Sequence, residues 1–207
     1  MVCAMEIVLV AAAVLAGIGA AYLTIQRATG GGVAVRRGWR RVPLTTLAAA
    51  EPAGVRRLAG TVRAAGEPPV SEASGRAYVA RDLRIGAHDG SGPLSWRGMQ
   101  SAGDFLLDDG TGVALVRAAD GGRVALPRDF EAPRTTLDRV PWADALLRDH
   151  GYRNGSPATC RVRIYEGVLA PGDRAEVIGR VEPADAAARA LGAGFVVSDV
   201  RVRPGDA

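Results

Sequence analysis

DFLLDDGTGVALVRAADG, residues 104–121 of the chain, sets four aspartates among apolar residues and glycines. This composition fits either a cluster of catalytic acids or two strands joined by a turn. Apolar residues lead into the central DDGTG and lead out of it again, and Asp and Gly are the residues that tight turns favour. The stretch therefore predicts a structural β-hairpin with Asp109 in its turn.

Two functional interpretations of this stretch, a phosphatase motif and a calcium loop, are excluded because required side chains are missing. Phosphatases of the haloacid dehalogenase type need a nucleophilic Asp two residues before the second Asp of the motif. Leu107 occupies that position here, and an aliphatic side chain cannot attack phosphorus. A calcium loop needs oxygen ligands at alternate positions and a closing Glu, whereas Val113 and Leu115 follow the turn.

The hairpin is one part of a chain that alternates apolar with charged residues over many short stretches, as half-buried strands do. The predicted strands cover residues 56–64, 77–85, 104–108, 112–118, 123–126, 160–169, 174–182 and 195–202. Short helices are predicted within 43–51, 137–151 and 183–192. The fold class expected is mainly β with minor α, an OB-like, partly open small barrel, preceded by one N-terminal transmembrane helix.

The composition suits one globular β-rich domain, with 48% hydrophobic residues, 27 Gly and 12 Pro in 207 residues. All 26 basic residues are Arg, since the sequence has no Lys. They are unevenly placed: residues 26–60 carry seven Arg and one Glu, whereas residues 61–207 carry 19 Arg and 20 acidic residues. A near-neutral domain with 5% aromatic residues argues against a basic, aromatic groove, so no nucleic-acid partner is expected.

The N-terminal domain, residues 1–26, is predicted to be a membrane anchor. Residues 7–25 are 19 uncharged residues, and a helix of that length spans about 28 Å, close to the ~30 Å hydrocarbon core. Tyr22 stands where an interfacial anchor would, and the positive charges follow the span, which indicates a cytoplasmic domain. A cleaved signal peptide or the reverse orientation is the alternative, although a signal peptide would want a basic n-region.

Residues 27–53 are predicted to be a basic juxtamembrane linker with a short helix. Trp39 and five arginines form the expected contact with anionic head groups, each Arg contributing about 1 kcal/mol near the surface. These arginines are Arg27, Arg36, Arg37, Arg40 and Arg41. A solvated basic linker without lipid contact is the alternative. The localisation expected is the bacterial inner membrane, with a single span.

The remaining candidate residues carry weak signals. Cys160 is expected to be a small buried apolar residue, and His88 and His150 to lie in a loop and at a helix end. Trp96 fits a core or rim position better than a stacking platform. Glu166 either is a buried functional carboxylate or faces solvent on an edge strand. No catalytic, metal or cofactor site is predicted.

Residues 55–202 resemble the GIDE domain, the membrane-side domain of mitochondrial-anchored RING ubiquitin ligases and of bacterial relatives. The resemblance rests on ordered motifs: LAGTVRA at 58–64, YVAR at 78–81, FLLDDGTGV at 105–113, EGVL at 166–169, GD at 172–173, VIGRV at 177–181 and FVVSD at 195–199. It implies a domain at 54–207 and a set of family-motif residues with structural roles. They are Gly60, Trp96, Phe105, Asp109, Gly112, Glu166, Gly172, Asp173 and Gly179.

The ubiquitin-ligase activity of the family is not carried over. A RING holds two zinc ions with eight Cys or His ligands, and this sequence has two Cys and two His. The expected function is that of an interaction or scaffold module at the membrane surface, with an unidentified protein partner and anionic lipid. The alternatives are a ligand- or oligonucleotide-binding barrel, which a basic aromatic groove would reveal, and an enzyme, for which no acid–base pair is found.

Overall fold

The computed structural model describes Trp39 and residues 42–50, 54–88, 95–152 and 156–205. The chain divides into two compact units, Met1–Arg41 and Val42–Ala207. Within the described part, no helix is long and apolar enough to cross a membrane. The predicted span at 7–25 lies outside the described residues, as do Tyr22 and the five arginines of the linker. Trp39 is described, and its side chain is 2% exposed.

The second unit consists of eleven described strands and few helices. The strands are β1 (Gly54–Ala64), β2 (Ala80–His88), β3 (Ser95–Ala102), β4 (Phe105–Asp108), β5 (Val113–Val116), β6 (Arg123–Val124), β7 (Phe130–Glu131), β8 (Thr135–Thr136), β9 (Arg161–Leu169), β10 (Arg174–Pro183) and β11 (Phe195–Pro204). The helices are α1 (Pro141–Asp149) and α2 (Ala186–Ala190), with 3₁₀ turns at Leu47–Ala49 and Leu137–Arg139.

Five strands form a closed barrel in the order β1, β4, β5, β11, β10. All neighbours are antiparallel except β5 and β11, which are parallel. The barrel closes because β10 pairs with β1 along one edge and with β11 along the other. The predicted mainly β barrel is confirmed, but it is closed where a partly open one was expected. Closure leaves none of these five strands with a free edge along its whole length.

Side chains along the barrel strands point alternately inward and outward, and the inward ones fill the barrel with aliphatic groups and one aromatic ring. Leu58, Val62, Phe105, Leu107 and Val177 are all fully buried in this core. The hairpin predicted for residues 104–121 is present as β4 and β5, paired from Phe105–Val116 to Asp108–Val113. The turn at 109–112 therefore lies at one end of the barrel.

A second sheet has the order β3, β2, β9, β7, with β8 also paired to β9. It is built from two insertions into the barrel sequence, one between β1 and β4 and one between β5 and β10. Leu83, Ile85 and Ile164 point from one face of this sheet into a core completed by Leu147 of α1. Cys160 is buried in the same core, as expected of a small apolar residue.

Several expected boundaries shift in the structure. Residues 42–50 belong to the second unit, where the amide of Thr45 donates to the carbonyl of Arg57 at 2.9 Å. β3 was not predicted at all. The 137–151 stretch is a 3₁₀ turn followed by α1, and Gly151 after it has a φ of +74°. Gly172 has the positive φ expected for its turn, +95°.

Candidate functional site

The second sheet has an exposed face on the side opposite α1. In antiparallel strands, directly paired residues point to the same side of the sheet. Arg84 pairs with Tyr165, and His88 pairs with Arg161. Gly86 pairs with Trp96 on one side and with Arg163 on the other. We call the set Arg84, His88, Trp96, Arg161, Arg163 and Tyr165 the arginine–aromatic face.

Trp96 lies flat on this face. A Cβ atom added at Gly86 would lie 2.9 Å from each of three consecutive atoms of the benzo ring, Cε3, Cζ3 and Cη2. Equal distances to three consecutive atoms mean that Gly86 faces the plane of the ring rather than its edge. The Tyr165 ring follows at a centroid distance of 5.6 Å and a tilt of 37°. Trp96 is 41% exposed, which fits the rim position rather than the core position of the sequence prediction.

One end of the face opens into a cleft of about 680 Å³. Its lining is basic: His88, Arg134, Thr135, Thr136, Arg139, Arg161, Val162 and Arg163. β8 and the 3₁₀ turn after it bring in the residues from 134 to 139, because Thr135 pairs with Val162 and Thr136 with Arg161. Four arginines from two separate parts of the chain therefore meet around one cavity.

These arginines lack the close carboxylate partners that Arg57, Arg117 and Arg203 have elsewhere in the domain. Among the described residues, none forms an ion pair with Arg84, Arg134, Arg161 or Arg163. Arg139 makes one long contact of 3.9 Å with the neighbouring Asp138, and both side chains are exposed. A group of like charges without counter-charges has a positive potential that favours an anion.

His88 stands at the cleft end of β2 rather than in the loop that the sequence suggested. Its Nδ1 atom is buried and has no hydrogen-bond partner among the residues that the structure describes. The position of His88 opposite Arg161 makes it a part of the basic cleft.

Glu166 takes the buried alternative of its two expected positions. It is 0% exposed on β9, which is paired on both sides, and its Oε1 accepts a hydrogen bond from Ser71 Oγ at 2.5 Å. Ser71 Oγ also accepts from the amides of Ala73 and Ser74, at 3.1 and 3.4 Å. Arg81 Nη1 lies 4.0 Å from the same carboxylate oxygen. Glu166 thus fastens the turn at 71–74 to the sheet, and Ser71 is fully engaged in that contact.

Asp109 has a structural role at the end of the barrel. Its Oδ1 accepts from the amides of Thr111 and Gly112 at 2.8 and 3.0 Å, and its Oδ2 accepts from the amide of Leu47 at 2.6 Å. Partial burial alone would raise the pKa of Asp109, but these hydrogen bonds outweigh burial and lower the pKa below its usual value. Gly110 completes the turn with a φ of +81°, which glycine tolerates best.

The other family-motif residues lie mostly where backbones come close in the barrel. A Cβ at Gly60 would lie 2.5 Å from the carbonyl oxygen of Asp108, and one at Gly179 would lie 2.6 Å from that of Ser198. A Cβ at Gly112 would lie 3.3 Å from Leu47. Asp173 closes the turn after β9 by accepting from the amide of Ala170 at 2.8 Å. The family-motif residues thus fall into two groups. Trp96 and Glu166 lie on the second sheet, and the others lie in barrel strands or in the turns next to them.

Arg84, Arg134, Arg139, Arg161 and Arg163 were not singled out as site residues by the sequence. A usable signal was present in RVRIY at 161–165, where the alternation places Arg161, Arg163 and Tyr165 on the outer side of a half-buried strand. Their convergence with β2 and β8 depends on pairing between distant segments. No group of three or more metal-ligating side chains occurs in the described part of the chain.

Comparison with known proteins found no matching family model, no matching curated protein and no matching solved structure. The site must therefore be interpreted from its own geometry and charge.

Proposed function

We propose that the chain is a membrane-tethered interaction module whose β domain binds an anionic partner on the arginine–aromatic face. The observation that carries the proposal is the basic cleft, where four arginines meet without a carboxylate close enough for a strong ion pair. Guanidinium groups recognise phosphate and carboxylate through paired N–H donors. A ligand with such groups would supply the counter-charges that the domain itself does not.

The fold supports a binding role over a catalytic one. A closed five-stranded barrel with its third and fifth strands parallel is consistent with an OB-like description, and such barrels serve as binding scaffolds. The domain also has the order of motifs that suggested a GIDE-like domain. Glu166, which the sequence left open as a buried functional carboxylate, makes a contact that fastens a turn through its Oε1 atom.

Membrane attachment remains part of the proposal on the sequence alone. The 19 uncharged residues at 7–25 and the arginines after them support an inner-membrane anchor with a cytoplasmic domain. Arg36, Arg37, Arg40 and Arg41 would contact anionic lipid. Replacing all four by Gln should reduce salt-sensitive binding of a fragment that starts at Gly30 to anionic liposomes. Unchanged binding would leave the linker with a role in topology only.

The binding proposal can be tested with inorganic polyphosphate and the full chain in a neutral detergent. Titration calorimetry at low and moderate salt should show binding that weakens as salt rises. Arg161→Gln combined with Arg163→Gln should weaken it several-fold. The matched control is Arg180→Gln with Arg201→Gln, which removes the same charge from exposed barrel positions. Equal losses in the two double variants would show a diffuse charge effect and would overturn the proposed site.

A further inference from the structure

We propose that the ligand of the arginine–aromatic face is single-stranded nucleic acid. A base stacks on the outer side of Trp96, and backbone phosphates contact Arg84, Arg161 and Arg163. This inference rests on the proposed function, because it names the class of anion that the face binds. It replaces the expectation of no nucleic acid, whose basis was the assumed lack of a basic, aromatic surface.

The orientation of Trp96 is the first support for a base ligand. Its inner ring face lies against Gly86, where a Cβ would come within 2.9 Å of the ring, and the residue is 41% exposed. The outer ring face is therefore turned away from the sheet. Tyr165 continues the aromatic surface toward β9. Aromatic rings laid on a sheet in this way are stacking surfaces for unpaired bases, and stacking is tolerant of sequence.

The second support is the position of the arginines beside the rings. Arg163 lies two strands from Trp96 in the same cross-strand row, and Arg161 lies two residues further along β9. Neighbouring strands are about 4.8 Å apart and alternate residues about 6.7 Å apart. Trp96 and Arg163 are therefore about 10 Å apart across the sheet, and Tyr165 lies two residues from Arg163 on β9 itself, so a strand whose bases stack on the rings has its phosphates within reach of the arginines. Arg84 borders Tyr165 on the row that follows Trp96.

The geometry favours a nucleic acid over the other anions that arginines bind. A lipid-binding surface inserts projecting apolar side chains, whereas the Trp96 ring lies parallel to the sheet. A phosphopeptide site needs arginines around one phosphate and has no use for the outward ring faces. A duplex hides its base faces in the stack and offers no surface to Trp96.

The acidic residues of this sheet offset only part of the charge of the face, to which Glu131 belongs through its pairing with Tyr165. Asp82 shares its side but is buried and is engaged by Arg128 at 2.9 Å. Glu131 pairs across from Tyr165, and Asp138 lies beside Arg139. Arg84, Arg161 and Arg163 have no carboxylate partner among the described residues. The near-neutral total of the domain is thus compatible with a local excess of positive charge.

A labelled oligouridylate of twelve nucleotides and the full chain in neutral detergent provide the test by fluorescence anisotropy. Trp96→Ala should weaken binding by about 5- to 100-fold. Gly86→Ala should weaken it as well, because the new methyl group must displace the ring. Gly98→Ala is the matched control on the same face, since its Cβ would come no closer than 3.8 Å to Arg84. Trp96→Phe should restore part of the affinity.

The double variant of Arg161 and Arg163 distinguishes this inference from the proposed function. Arg161→Gln with Arg163→Gln should lower the salt slope of oligonucleotide binding by about 1.4, or about 0.7 for each phosphate contact. Trp96→Ala should weaken oligonucleotide binding more than it weakens polyphosphate binding, because polyphosphate has no base to stack on the ring. The linker arginines are present in every variant, so their contribution cancels. Denaturant unfolding of each variant would show whether its fold is intact.

Three results would count against nucleic acid. If Trp96→Ala and Gly86→Ala fold normally and bind the oligonucleotide as wild type does, base stacking is refuted while the anionic face stands. A duplex of equal length that binds as tightly as the single strand would also refute it. Anionic vesicles that bind through Trp96 and resist competition by the oligonucleotide would identify lipid instead. If no polyanion depends on Arg161 and Arg163, the proposed function itself fails.

Discussion

Two groups of arginines, one on the barrel and one on the second sheet, differ in whether the fold supplies a carboxylate partner. On the barrel, Arg57 and Arg203 both donate to the carboxylate of Glu176, at 2.8 and 2.6 Å for their closest contacts. Glu176 lies on β10 and is 5% exposed. Its carboxylate links β10 to β1, which carries Arg57, and to β11, which carries Arg203. On the second sheet, Arg161 and Arg163 line a cleft with no carboxylate partner in the described part of the chain.

This difference separates charges that have counter-ions within the fold from charges that the proposed partner would neutralise. A buried or half-buried ion needs its counter-ion within the domain, because desolvation would otherwise destabilise the folded state. An exposed arginine is solvated by water and is free to bind something else. The comparison therefore predicts large stability effects on the barrel and small ones on the arginine–aromatic face.

The largest effect is expected from Glu176→Gln. It leaves Arg57 and Arg203 close together without the negative charge that they share, and breaking a buried ion cluster costs about 3–5 kcal/mol. The free energy of unfolding from urea denaturation should fall by about 3 kcal/mol or more. Arg76→Gln, which breaks the exposed pair with Asp129, serves as the control and should change it by less than about 1 kcal/mol. Equal effects would remove the contrast between buried and exposed pairs.

A substitution in the barrel turn should have an intermediate effect. Gly110→Val places a β-branched residue at a φ of +81°, which should lower the free energy of unfolding by roughly 1–3 kcal/mol. Gly66→Ala is the matched change, because Gly66 has neither a positive φ nor an atom near its added Cβ. Thermal and urea unfolding of both variants would check this. A fully stable Gly110→Val would mean that the turn relaxes without strain.

A smaller effect is expected from the protonation of Asp109. Hydrogen bonds lower the pKa of this carboxylate in the folded protein below its usual value, despite the opposing effect of burial. Its contribution is therefore fully present above the ordinary pKa of Asp and is lost as pH falls through the lowered folded value. The stability difference between wild type and Asp109→Asn should shrink between about pH 5 and pH 2. A constant difference over that range would contradict the prediction.

The smallest effect is expected where the proposed binding is lost. Arg161→Gln with Arg163→Gln should change the free energy of unfolding by no more than about 0.5 kcal/mol, since neither side chain has an ion pair to lose. A rise in stability is also consistent, because the change relieves repulsion between like charges. A loss of several kcal/mol would show that these arginines hold the fold and would remove the contrast with Glu176.

The sequence predicts the barrel well because its strands alternate. All five barrel strands, β1, β4, β5, β10 and β11, were expected within two residues of their observed bounds, because apolar residues recur along them. The hairpin at 104–121 was recognised from the turn chemistry of Asp and Gly. The closure of the barrel depends on the pairing of β10 with both β1 and β11, which local pattern does not encode.

The candidate site was missed for two physical reasons. β3, with the sequence SWRGMQSA, has no β-branched residue and lies at the edge of its sheet, so neither propensity nor alternation marks it. Trp96 was therefore not assigned to any strand. Net charge was averaged over residues 61–207, whereas binding depends on how charge is distributed over a surface. The pairing of β2 with β9 creates that distribution.

The pairing of β1 with β10 has a consequence for how the protein is made. Gly54 pairs with Val181, and Thr61 pairs with Arg174. One edge of β1 therefore has no partner during synthesis until β10 is made, and β10 begins 110 residues after β1 ends. At a translation rate of about 5–20 residues per second, the ribosome needs roughly 5–20 seconds to supply that partner. The hairpin of β2 and β3 is complete on the nascent chain before then. The inserted sheet therefore begins to assemble while the barrel that carries it is still an open ribbon.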